Sequence, residues 1–495
     1  VDAVARASQS TVYSLFAAQA RLRPSAIAVV DGDRALSYAA LDDRARRLAQ
    51  VLAARGVGRG DRVAVLAENR LEILELLLAA AHRGAIVACQ SFRLSTVELD
   101  HCRALVTPAL TLTSPRYATP GALVFGAGYE RLLAAAAPAA DPPAADPEDP
   151  LIILYTSGTT GLPKGAVLSH RAEIVRNLVT RAELGVAPLD TFVAWSPLYH
   201  MGAVDNALGA LMSGGKVIVV PGFDAAHLAA IVAAEELGWL LLMPGMVGRF
   251  ADELARRGVV ARGVKVCGVM ADLVPPAEIA AVTTLLAAPY ANTFGATETG
   301  CPPCSSSLIP IGVAPTRLSK RQSPFCEVRL VDAEDREVED GAPGELTMRG
   351  PTLFSGYWCA PEVNAHEFRG GWFHMGDVFV RNPDGTLDFV DRVKYLIKSG
   401  GENIYPAEIE RVLLADARVA DACVVRARDP RWGEVPVAFV ARRDGALTEA
   451  DVVALCRARL AGYKQPRRIC FLDAEAFPRS ASGKIQRHEL EKRLT

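Results

Sequence analysis

The chain has 495 residues, with 54 basic and 56 acidic side chains and a formal charge of −2, so no charge excess points to a nucleic-acid or anionic-membrane partner. Half of the residues are hydrophobic and 22% are charged, which excludes chain-wide disorder and supplies apolar material for more than one core. No run reaches the roughly 18 consecutive apolar residues of a membrane span, and Val1-Asp2-Ala3-Val4-Ala5-Arg6 lacks a basic region followed by an apolar stretch, so a soluble, cytoplasmic protein is expected.

In chain order, Ala26–Val30 reads as a strand, Tyr38–Ala53 as an amphipathic helix, Arg62–Leu66 as a strand and Leu71–Ala81 as a helix. That alternation predicts layered α/β architecture with largely parallel sheets. Ala134–Pro150, rich in Ala, Pro and Asp, reads as a surface loop. The ten cysteines are scattered and expected to be reduced thiols; Cys301-Pro302-Pro303-Cys304 is expected to be a plain turn, because no second ligand pair or short βαβ context accompanies it. From Phe325 the pattern becomes short strands and glycine-containing turns: Glu327–Val331, Gly344–Met348 and Thr386–Val390. A small β-rich subdomain fits. After Arg392, stretches at Pro406–Leu414, Ala422–Val425, Val437–Val440 and Glu449–Leu460 suggest a small α+β domain.

The most informative stretch runs from Leu151 through Thr156, Ser157, Gly158, Thr159, Thr160 and Gly161 to Lys164 and Gly165. Glycines permit turns that aim N–H groups inward, hydroxyls add donors, and Lys164 adds a positive charge, which together suit a polyphosphate. It is not a Walker A loop, since Lys164 is followed by Gly165 and the next segment reads as a strand. Taken alone, a flexible Ser/Thr/Gly surface loop remains open as the other reading.

Tyr155–Gly165 resembles the signature of the adenylate-forming superfamily, in its acyl-CoA synthetase (carboxylic acid–CoA ligase) branch. Further matches follow in the family's order: Ser196–His200, Thr293–Gly300, Gly371–Asp377, Asp391–Pro406, Asp429–Pro436 and Pro478–Lys484. The resemblance implies an N-terminal AMP-binding domain over 1–391, a mobile C-terminal domain over 392–495 and a hinge near Lys394. It implies ATP-dependent conversion of a carboxylic acid to acyl-AMP, then transfer to coenzyme A, with ATP, Mg2+ and coenzyme A as cofactors.

By the same resemblance, Thr156, Ser157, Gly158, Thr159, Thr160 and Lys164 hold phosphates, and Glu298 reaches a magnesium ion with Thr297 contacting phosphate beside it. Asn292 meets the adenine amino group and Phe294 stacks on the base. Asp377 grips the ribose hydroxyls with help from Arg392. Lys484 touches the substrate carboxylate and the α-phosphate, where a cation offsets the charge spread over the pentavalent state. His200 joins Lys164, Thr297, Glu298 and Lys484 in the catalytic set. Lys398, Gly400 and Gly401 belong to the thioester-forming conformation, with a pantetheine channel beside the glycines.

The acyl pocket is expected at Trp195, His200, Val204, Met246, Met270, Ala271, Gly295 and Ala296, with Met243 nearby. Three departures fall around it: Cys267–Asp272 stands where Gly-Gly-Ala-Pro is usual, Arg317–Gln322 replaces a glycine-containing stretch, and Phe294 replaces Tyr. Met270 at a usually small position shortens the pocket, so a compact, hydrophobic, ring-containing acid is expected. Lys320 and Arg321 are expected as solvated surface charges. The alternative is a biosynthetic adenylating enzyme that hands acyl-AMP to a carrier protein or thiolating partner. A nonenzymatic nucleotide sensor is opposed by the intact set Lys164, Glu298, Asp377 and Lys484. A monomer or homodimer is expected.

Overall fold

The computed structural model describes residues 7, 9–141, 143–157, 162–400, 402–443, 445–479 and 485–494, with the side chain of Ser157 outside that description. Its chain divides into two compact units: Val1–Glu327 with Arg349–Phe368, and Val328–Met348 with Arg369–Thr495. The expected boundary at 391/392 and the hinge at Lys394 lie inside the second unit.

The first unit is layered α/β. One six-stranded sheet has the order Leu123–Val124, Leu110–Thr113, Arg62–Leu66, Ile86–Cys89, Pro150–Ser157, Pro163–Ser169, all parallel except the last strand. Its central strands are buried and rich in Val, Ile and Ala, as a sheet covered on both faces requires. The Tyr38–Ala54 helix buries Leu41, Ala45, Leu48, Ala49 and Leu52, a helical spacing along one face, and packs against the Leu71–Arg83 helix, which in turn lies on the Ile86–Cys89 and Pro150–Ser157 strands; Ser37 caps its start by accepting from the Ala40 N–H. Two four-stranded sheets complete the layers; one carries Ile27–Asp31 beside Val217–Val219, the other Gly263–Cys267 beside Glu236–Leu240. The Ala134–Pro150 loop follows a helix that ends at Ala135 and is pinned rather than loose. Arg46 donates to the Ala139 carbonyl at 2.8 Å, and the Ala144 N–H donates to the His82 carbonyl.

The second unit has a four-stranded sheet ordered Glu327–Val331, Pro343–Arg349, Phe373–Arg381, Leu387–Arg392, and a five-stranded sheet built on the long Val419–Asp429/Gly433–Arg442 hairpin. The Pro406–Leu414 and Glu449–Arg459 helices pack on the latter around Ile397, Ile409, Leu413, Val424, Val440 and Val452. Among the described residues no helix is long and apolar enough to cross a membrane. All ten cysteines are free thiols.

Candidate active site

The Ser/Thr/Gly/Lys stretch is the connection of an antiparallel hairpin. Pro150–Ser157 pairs with Pro163–Ser169 in a register that sets Thr156 opposite Lys164 and Ser157 opposite Pro163. This places the lysine on a strand. Gly158, Thr159 and Thr160 lie outside the described residues, as do Gly401 and Lys484. Gly165 is required by contact: a Cβ there would stand 2.8 Å from Ile153 Cγ2.

Glu298 sits at the tip of a second hairpin, between the strands Phe294–Ala296 and Gly300–Cys304. The turn is closed by Thr299, whose N–H donates to the Ala296 carbonyl and whose hydroxyl accepts from the Ala296 N–H at 2.9 Å. The Glu298 side chain is buried with one oxygen accepting from the Tyr357 hydroxyl at 2.9 Å, and the face of the same Tyr357 ring lies under Lys164 Nζ at 4.8 Å. Tyr357 therefore joins the lysine of one motif to the carboxylate of another, a functional residue the sequence reading missed. It is held by main-chain bonds on both sides: Val167 and Trp358 N–H groups donate to the Gly356 and Gly165 carbonyls, and Asn364 brackets Tyr357 through its amide. The signal available was a Gly-Tyr-Trp triplet after a strand.

One carboxylate oxygen of Glu298 is thus pinned and the other can serve a cation. Magnesium takes one or two protein carboxylates and completes its octahedron with phosphate oxygens and water, so this donor set fits it. Among the described residues no group of three or more His, Cys, Asp or Glu forms a cage.

The Cys301–Cys304 run forms the returning strand of this hairpin, not the expected turn. Prolines are tolerated there because a two-stranded ribbon demands few ladder donors. Burial pushes the Cys301 thiol up to about 12, leaving it protonated.

Asn292 is buried and its amide is committed: its nitrogen donates to the carbonyls of Leu318 (3.1 Å) and Ser319 (3.3 Å), and its oxygen accepts from Lys320. Lys320 corrects a sequence expectation. It is fully buried, not solvated, and pairs with Asp272 at 2.6 Å. A buried ammonium needs such a partner, and the partner lies in the other departing segment, far away in the chain. Arg321 is exposed as expected.

Of the acyl-wall residues, Trp195 and Ala271 are buried in one apolar cluster, with Met243, Met246 and Leu318 packed against it. Trp195 donates to the Leu241 carbonyl at 2.8 Å, which fixes its indole. Val204 is buried, Ala296 is half-buried and Gly295 exposed, while His200 immediately precedes the Met201–Met212 helix with its ring 4.7 Å from that of Tyr199. The wall at 268–270 is rigid: Trp239 and Tyr290 donate to the Gly268 and Val269 carbonyls at 3.0 Å each, and Met270 is left-handed at φ 48°.

In the second unit Asp377 and Arg392 stand directly opposite on neighbouring strands and form a two-pronged ion pair at 2.7 and 2.9 Å. Gly376 precedes Asp377 at φ 70° and donates its N–H to Glu345. Lys394 is exposed, with its ammonium 5.0 Å from the Tyr395 ring centre. Lys398 lies on a strand that turns back at Gly400, whose Cβ would meet the Trp432 ring at 2.6 Å.

In a layered α/β unit, a strand lysine and a pinned carboxylate turn joined by one tyrosine make an arrangement suited to a magnesium-bound polyphosphate. The AMP-binding enzyme description matches residues 16–358, and the C-terminal domain description of the same enzymes matches 408–484. Feruloyl-CoA synthase of an Amycolatopsis species is 36% identical over 96% of this chain and 97% of its own. Indoleacetate–CoA ligase of Aromatoleum aromaticum is 33% identical (95% and 96%), and 2-succinylbenzoate–CoA ligase of Geobacillus kaustophilus is 34% identical (96% of each). The solved o-succinylbenzoate CoA synthetase of Bacillus subtilis, in complex with its acyl-adenylate intermediate, superposes with a TM-score of 0.86 at 25% identity over 98% of both chains. The chain belongs to the AMP-binding enzymes, the adenylate-forming superfamily, and is an AMP-forming acid–thiol ligase of the acyl-CoA synthetase branch.

Proposed function

We propose that this ligase activates a compact, hydrophobic, ring-containing carboxylic acid with ATP and passes the acyl group from acyl-AMP to coenzyme A. The observation that carries the choice of acid is the wall at Gly268–Ala271, where two fixed carbonyls and a left-handed Met270 stand beside the apolar cluster of Trp195, Met243 and Met246. Such a wall favours a flat, short acid over an extended chain. The relatives named above act on feruloyl, indoleacetate and succinylbenzoate acids, all ring-containing.

In this reading Lys164 and the segment before it neutralise the phosphates that leave as pyrophosphate, Thr297 contacts phosphate, and Glu298 would hold a magnesium ion, whose charge would lower the repulsion that the attacking carboxylate meets. Asp377, oriented by Arg392, accepts hydrogen bonds from the ribose, Phe294 lies against the base, and Asn292 backs it. His200 lines the acyl side. Lys484 bridges the substrate carboxylate and the α-phosphate. The C-terminal domain, 392–495, turns about Lys394 for the second half-reaction, bringing Lys398, Gly400 and Gly401 to the thiol. The alternative acyl acceptor is a carrier protein or separate thiolating partner; a cytoplasmic setting and a monomer or homodimer belong to the main proposal. Acid-dependent pyrophosphate exchange across aromatic, polycyclic and fatty acids tests the acid, and acyl-CoA formation with free coenzyme A tests the acceptor.

The pocket itself is tested by Met270→Gly. It opens volume at the wall and releases a left-handed side-chain residue that costs roughly 1–2 kcal/mol, so the variant should fold well. Each extra methylene buried is worth about 0.8 kcal/mol, and preference should move to longer acids. A wild-type preference for palmitate, unchanged in Met270→Gly, would overturn this placement.

A further inference from the structure

Behind the Glu298 turn lies a buried charge cluster that neither the motifs nor the chemistry above uses. Arg176, on the His170–Leu184 helix, has a side chain only 2% exposed. Its guanidinium donates in three directions: to the Thr297 carbonyl at 2.9 Å, to the Thr352 carbonyl at 2.9 Å, and to Asp205 Oδ2 at 3.2 Å. Glu173, one turn earlier on the same helix face, is fully buried with neither carboxyl oxygen hydrogen-bonded among the described residues.

These contacts converge on one object. Thr297 and Glu298 form the hairpin tip, and the tip is held at consecutive carbonyls: Thr297 by Arg176, and Glu298 by the Phe354 N–H at 2.9 Å. Arg176 also grips Thr352, two residues before Phe354, so one guanidinium ties the tip to the segment that carries Phe354 and Tyr357. Asp205 fills the remaining prong from the Met201–Met212 helix, which follows His200 and carries Val204. Only a planar fork of fixed donors serves three acceptors this way; an ammonium cannot hold the same geometry. Gly300 makes room for the fork. A Cβ there would stand 2.9 Å from Arg176 Cγ and 3.0 Å from its Nε, and its φ is +77°.

We propose that Arg176 is a positioning residue for adenylation, its guanidinium setting the Thr297–Glu298 turn so that the hydroxyl meets phosphate and the carboxylate meets magnesium. The proposal rests on the reading of Thr297 and Glu298 as the phosphate and magnesium contacts. Glu173 is the buried companion of the cluster: burial and then the Asp205 carboxylate raise its pKa well above the ordinary range, and burial raises Asp205 as well, with Arg176 opposing the shift of each.

The test is steady-state pyrophosphate exchange on the full chain, titrated separately in Mg·ATP and in the acid. Arg176→Met should raise the Mg·ATP concentration for half-maximal exchange by about tenfold or more, since displacements near 1 Å in a positioned group cost up to about a hundredfold. The KM for the acid and thioester formation from supplied acyl-AMP should stay close to wild type. Because Arg176→Met alone leaves Asp205 buried and uncompensated, the double variant R176M/D205L removes both charges. It should melt near the wild-type temperature yet keep the Mg·ATP defect, and Arg176→Lys should recover only part of it. Gly300→Ala, which leaves every charge in place, should show the same defect. Wild-type Mg·ATP dependence in R176M/D205L or Gly300→Ala, or equal rises in both KM values, would overturn the proposal. Glu298→Gln run alongside separates the two levels: if it leaves the magnesium dependence untouched, the reading of the turn itself fails; if it shifts the dependence and the Arg176 variants do not, only the positioning role fails.

Discussion

Tyr357 shows how much one side chain can join. Its hydroxyl holds Glu298 at 2.9 Å and its ring carries Lys164 at 4.8 Å, so an ammonium and a carboxylate from two separate motifs are kept at a set spacing by a neutral residue. Hydrogen bonds to charged groups are worth about 1.5–3 kcal/mol. Tyr357→Phe, which removes the bond and keeps the ring, should lower pyrophosphate exchange by about tenfold. Tyr357→Leu, which removes both, should lower it further. Exchange at the wild-type rate in the Phe variant would release Tyr357 from this role. Nothing at this position in the sequence distinguishes it from a packing tyrosine, because its two partners lie 193 and 59 residues away. Lys320 makes the same point in reverse: local context reads as surface, and only the fold brings Asp272 to it. Replacing Lys320 by Met strands Asp272 and should destabilise the first unit by about 3–5 kcal/mol, measured as a lower unfolding midpoint, whereas K320M/D272L should recover most of it.

Among the elements, helix and strand identities were legible wherever periodicity was strong. Tyr38–Ala54 was expected as 38–53, and Arg62–Leu66, Glu327–Val331 and Pro406–Leu414 occur over the expected residues. The Cys301–Cys304 strand was not legible, since two prolines argue against a ladder unless the strand is known to sit in a two-stranded ribbon. One junction between elements is sensitive to pH. His170, at the start of its helix, accepts the Val12 N–H at 3.2 Å through Nδ1 and is fully buried, which lowers its pKa to about 4. In the unfolded chain an imidazole titrates near 6.5. The neutral form is therefore the native one, and its contribution is complete above about pH 6.5 and lost progressively toward pH 4. Thermal midpoints should fall between pH 7 and pH 5, with His82, whose pKa burial also lowers, contributing in the same direction. His170→Asn keeps an acceptor without a titrating group and should flatten that slope; an unchanged slope would assign the sensitivity elsewhere.

For the molecule as a whole, the two half-reactions should respond to different residues. Lys484→Ala should cut acyl-AMP formation by roughly a hundredfold or more, as removal of a transition-state charge contact does, while thioester formation from supplied acyl-AMP survives. Lys394→Pro fixes φ near roughly −65° and removes an N–H, so adenylation should persist while transfer to coenzyme A collapses. Equal loss of both half-reactions in either variant would overturn the proposed division of labour. What the sequence by itself determined is the layered α/β class, the family and the chemistry. Those are written in periodicity, and in short motifs whose glycines, hydroxyls and charges act on the ligand through groups only a few residues apart. What only the tertiary structure decided is how those groups are held: Tyr357 between Lys164 and Glu298, Arg176 behind Thr297, and Lys320 locked to Asp272 and Asn292. A buried charge or hydroxyl is stable only beside its partner, and the chain brings such partners together from distant segments by folding.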